Sequence, residues 1–79
     1  MNQTQYTNAK LGVSQENAIL QRLQAARGGW VSMPELSRVS GSLNVHSRIA
    51  CLREDGHNIP KPKLEREGSR IRSFYRIIE

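Results

Sequence analysis

With 79 residues, 37% of them hydrophobic, the chain can build one compact domain around one modest core, which leaves no room for a second lobe or an elaborate active site. Twelve Lys and Arg against seven Asp and Glu give a formal charge of +5, a balance that favours a polyanionic partner. A lone Cys51 excludes an intramolecular disulfide, no run approaches the ~18 apolar residues of a membrane span, and the opening MNQTQYTNAK lacks the apolar stretch of a secretory signal, so the expected location is cytoplasmic with no membrane partner.

Residues 1–13 are rich in Asn, Gln and Thr, with only Tyr6, Leu11 and Val13 to bury, and read as a flexible tail ahead of a single domain over 14–79. Ser14 offers an N-cap and Glu16 a favourable first-turn charge, while Ile19, Leu20, Leu23 and Ala26 recur at helical spacing, so a first helix is predicted from about Gln15 to Arg27. Gly28 and Gly29 end it, and Trp30 and Val31 have the character of a short strand. Ser32-Met33-Pro34-Glu35 then sets a hydroxyl three residues before a carboxylate with Pro in the first turn, a capping box that opens a second, short helix.

After Leu36 and Val39, Ser40-Gly41-Ser42 forms a glycine-centred turn of the type that joins the helices of a helix-turn-helix. A third helix is predicted over Leu43 to Asp55, its apolar stripe made by Val45, Ile49 and Leu52, with Gly56 as its stop. Beyond Gly56 the period changes. Ile59 begins an extended arm whose Pro60 and Pro62 suit an edge strand, Glu67-Gly68-Ser69 supplies a turn, and Ile71, Ser73, Tyr75 and Ile77 alternate with Arg72, Phe74, Arg76 and Ile78 along the returning strand. The expected fold is α+β, a winged helix-turn-helix with three helices, a short strand after helix one and a C-terminal β-hairpin wing.

The runs GGWVSMPELSRVSG and NVHSRIACLREDGHNI, followed by a charged hairpin ending SFYRI, resemble the small winged helix-turn-helix proteins of bacteriophages and prophages over about Ser14 to Ile78. Their most telling part is the pattern made by Ser47, Arg48, Ile49, Leu52, Arg53, Gly56 and Ile59. The resemblance implies DNA binding, often by transcriptional regulators.

The residues agree for physical reasons. A short second helix and a glycine turn leave helix three free to enter a major groove by its N-terminal end, where Ser42, Asn44, His46 and Ser47 cluster and each can hydrogen-bond a base edge or a phosphate. Asn44 is the best match to adenine; the competing account has Ser42 as the N-cap and Asn44 as a solvated first-turn residue. Arg48 flanks the apolar stripe and could reach a phosphate or guanine, against a structural salt bridge to Glu35 or another acid. Arg53, beside Glu54 and Asp55, reads as a helix-dipole or ion-pair residue.

After Gly56, Lys61, Lys63, Arg66, Arg70, Arg72 and Arg76 outnumber three glutamates, as in a wing that touches DNA; charge that merely keeps an edge hairpin soluble is the bland alternative. Phe74 falls on the outer face of the returning strand, and Trp30 reads as a residue packed beneath the hairpin.

His46, His57 and Cys51 lack the paired spacings of zinc sites, His46 and Ser47 project about 100° apart and form no dyad, and no glycine-rich phosphate loop is present. No catalytic residue, metal or cofactor is therefore expected. Double-stranded DNA is the expected partner, with a second copy of the chain as a further one because palindromic sites multiply base contacts. Two rivals share the fold: an excisionase-like architectural factor that bends DNA, and a phage protein that docks on a host protein.

Overall fold

The computed structural model describes the backbone of residues 3–78 and the side chains from Ser14 to Ile78. Elements follow in the order α1 (Gln3–Ala25), β1 (Val31–Ser32), α2 (Met33–Ser40), α3 (Val45–Glu54), β2 (Lys63–Glu67) and β3 (Arg70–Tyr75). The strands form one antiparallel sheet in the order β1-β3-β2, with Val31 opposite Tyr75 and Lys63 opposite Phe74. Three helices, a short strand after the first and a C-terminal hairpin make this a winged helix-turn-helix.

The core sits where the helical stripes meet the proximal end of the sheet. Ile19 and Leu23 of α1, Leu36 of α2 and Ile49 of α3 are fully enclosed, and Val31, Val45, Leu52, Tyr75 and Ile77 close around them. The 3.6-residue period of the helices places their apolar stripes inward, and the two-residue period of β3 does the same at its proximal end, where Tyr75 and, just past the strand, Ile77 are buried while Ile71 near the turn stays exposed. Ile59 is buried as well, although it lies ahead of the paired strand.

Several boundaries differ from the sequence expectation. Helix α1 begins at Gln3, not near Gln15, and ends at Ala25. A helix nucleated by packing at Ile19 and Leu23 extends at low cost, and Gly12 alone does not stop it. The expected tail thus overlaps the backbone of α1, while Met1, Asn2 and the side chains of 1–13 lie outside the described residues, as does Glu79. Helix α3 is shorter than predicted because Asn44 caps it. The ladder of the hairpin opens at Lys63, since Pro60 and Pro62 have no N–H to offer, and β3 ends at Tyr75, before Ile78.

Candidate nucleic-acid interface

The turn between α2 and α3 sets the orientation of α3, and it is built from serine hydroxyls. Gly41 closes α2 at φ +72°, its N–H donating to the Ser37 carbonyl at 2.8 Å. Ser37 Oγ donates to the Ser42 carbonyl at 2.8 Å, Ser40 Oγ accepts from Ser42 N–H at 3.1 Å, and Ser42 Oγ accepts from Asn44 N–H at 3.1 Å. Ser42 is only 2% exposed. Its expected contact with DNA is corrected: the side chain is spent inside the turn. The cap belongs to Asn44, whose Oδ1 accepts from Ser47 N–H at 3.2 Å and leaves its amide donors exposed.

Upstream, α2 is pinned to α1. Ser32 Oγ accepts from Glu35 N–H at 3.3 Å, but the reciprocal half of the capping box is absent, because the Glu35 carboxylate turns to Arg38 at 2.6 Å and Arg22 at 3.3 Å. The Arg38 hydrogen bond, assisted by Arg22 and opposed by partial desolvation, holds the Glu35 carboxyl below its ordinary 4.5.

On α3 the predicted residues divide. His46 and Ser47 are exposed, and His46 Nδ1 shares a hydrogen bond with the Tyr75 hydroxyl of β3, so the sheet fixes the imidazole at the N-terminal end of the helix. Burial pushes the Tyr75 hydroxyl above its ordinary value, against a smaller opposing pull from Arg53. Arg48 pairs with Glu16 of α1 at 3.5 Å, a structural salt bridge of the kind the competing account expected. Arg53 joins no ion pair among the described residues; it donates to the carbonyls of Ile59 and Pro60 at 2.8 and 3.0 Å and ties the extended arm to α3.

The hairpin also divides. Glu67 faces Arg70 across the Gly68–Ser69 turn, where Gly68 has φ +63° and Ser69 does not share the positive angle, as in a type II′ connection. Lys61, Arg66 and Arg70 are exposed and form no ion pair among the described residues. Arg72 is drawn to Glu67 at 3.4 Å. Lys63 is not a free wing cation: its ammonium lies 5.2 Å from the Trp30 ring centroid and 5.4 Å from that of Phe74. Arg76 covers Trp30 at 5.1 Å. This stacking accounts for the outward Phe74, which packs under a cation from the first arm.

Sequence reasoning missed two features. Leu43, which the sequence suggests as the first residue of α3, is fully exposed in the turn, and Leu64 and Ile71 are 63% and 61% exposed on the same hairpin face as Arg66. Register alone would have found the second, since Leu64 and Ile71 become diagonal neighbours once the turn is fixed at Gly68–Ser69.

Surface hollows are present among the described residues. One of about 360 Å³ is lined by Gln24, Arg27, Gly28 and Arg76 to Ile78, and one of about 260 Å³ by Met33, Pro34, Ser37 and Ile71 to Ser73; neither brings a nucleophile to a base. Among the described residues no group of three His, Cys, Asp or Glu could hold a metal ion, and no helix is long and apolar enough to cross a membrane. In comparisons with protein-family models, curated proteins and solved structures, none matched this chain.

Proposed function

We propose that this protein binds double-stranded DNA in a sequence-specific way, with the N-terminal end of α3 in the major groove and the hairpin on the backbone or minor groove, as a regulator of the phage or prophage type. The observation that carries the reading is the pair Arg66 and Arg70, which bracket the Gly68–Ser69 turn, are exposed and form no ion pair among the described residues. Four other arginines of the domain are engaged with carboxylates. Cations left solvated at the tip of a hairpin suit phosphate, and a wing that neutralises phosphates releases counterions on binding. The exposed Asn44 amide, His46 and Ser47 supply hydrogen-bonding groups for base edges. The proposed role is binding without chemistry on the DNA.

Selection from a random duplex pool tests this reading. The purified protein should enrich a sequence that it binds at least about 10³-fold more tightly than random duplex at physiological salt. Failure to retain any duplex would refute it and leave the protein-docking rival in place. Retention without enrichment, together with bending of the bound DNA, would point to the architectural rival.

A further inference from the structure

A lone exposed leucine is common on protein surfaces, and only its position gives one meaning. Leu43 immediately precedes the Asn44 N-cap of α3. An apolar residue there ordinarily packs on the fourth helical residue and fixes how the chain enters the helix. Here the fourth helical residue is Arg48, whose guanidinium is turned to Glu16, and Leu43 stays fully exposed. The turn is held instead by Gly41 and by the hydroxyls of Ser37, Ser40 and Ser42, so Leu43 has no part in its own fold.

The helix behind it has few long arms left for base edges. Arg48 is held by Glu16 and Arg53 by the carbonyls of Ile59 and Pro60, while Ser47 and Ala50 stand exposed three residues apart on one ridge. Along this ridge Leu43, Ser47 and Ala50 present methyl groups and one hydroxyl, beside the exposed Asn44 and His46. In the major groove the complementary apolar feature is the C5-methyl group of thymine.

Resting on the DNA-binding reading, we propose that Leu43 is a specificity-determining residue that packs against a thymine methyl group at the edge of the site read by α3. It works beside the Asn44 amide, one supplying apolar contact and the other hydrogen bonds.

The test uses the duplex enriched by selection, with each thymine replaced in turn by deoxyuridine, which lacks only that methyl group. Affinities are read by fluorescence anisotropy for the wild-type chain and for Leu43→Ala. At one or two positions the wild-type chain should lose about fourfold in affinity, the size of one buried methyl group. Leu43→Ala should bind the thymine duplex more weakly by a similar factor and no longer distinguish the two bases there. Because nothing packs on Leu43, its thermal midpoint should match the wild type. If the wild-type chain is indifferent to every replacement, or Leu43→Ala keeps the full discrimination, the Leu43 assignment is overturned while DNA binding stands. If neither protein binds any duplex, the DNA reading itself falls and the Leu43 contact with it.

Discussion

Asn44 has two claims on one side chain, since its carbonyl oxygen caps α3 while its amide donors remain exposed. Asn44→Ala should therefore destabilise the domain by about 1 kcal/mol in urea denaturation, the usual cost of a lost cap. Asn44→Ser keeps a capping oxygen and should unfold close to the wild type, yet weaken binding to the selected duplex by about 1 to 3 kcal/mol with little effect on random duplex. Wild-type affinity in Asn44→Ser would reduce Asn44 to a cap alone. The sequence showed a polar cluster at this end of α3 but not which residue capped it, because Ser and Asn suit that position about equally; the burial of Ser42 inside the turn decides it. The partner of Arg48 was equally hidden, since Glu16 lies on another helix and no local spacing rule links them. Glu35 adds a pH dependence. Its carboxyl is held low in the folded state chiefly by Arg38, so ionisation favours folding above the unfolded value, and that contribution is lost as pH falls through the folded one. The thermal midpoint should drop from about pH 5 downward. Glu35→Gln should remove a small part of the drop, as befits a surface group; an identical profile in the variant would show that the Arg22–Glu35–Arg38 cluster does not couple to folding.

At the scale of elements, the α2–α3 turn depends on one backbone angle. Gly41 has open space where a Cβ would stand but sits at φ +72°, so a substitution there meets conformational strain and no clash. Gly41→Ala should cost about 1 to 2 kcal/mol without changing the denaturant slope. An unchanged midpoint would mean that the turn relaxes into another conformation. This turn, the cap on α2 and the apolar stripe of α3 were all legible, because each is written in residues within a few positions of one another. The extent of α1 was not, since continuation past Ser14 rests on propagation from a packed segment and carries no local signal. The hairpin was legible in its turn and in the inward Tyr75 and Ile77. The fates of its cations were not: Lys63 is taken by rings at Trp30 and Phe74, residues separated in sequence and joined only by the pairing of β1 and β2 on either side of β3.

For the whole molecule, a net charge of +5 acquires meaning only through its distribution. Four arginines are engaged with carboxylates, and Lys63 and Arg76 lie over Trp30, whereas Lys61, Arg66 and Arg70 stay solvated along the hairpin without ion pairs among the described residues. The fold class followed from the order of helices, strand and hairpin, whereas the solvated cations had to await tertiary pairing. The most direct measurement is the salt dependence of binding to the selected and to a random duplex, for the wild-type chain and for Arg66→Ala/Arg70→Ala together. If the hairpin lies on phosphates, the double variant should bind both duplexes more weakly and lower the slope of log affinity against log salt by roughly 2, about one for each phosphate contact removed. A folded double variant whose affinity and salt slope equal those of the wild type would contradict the placement of the hairpin on DNA.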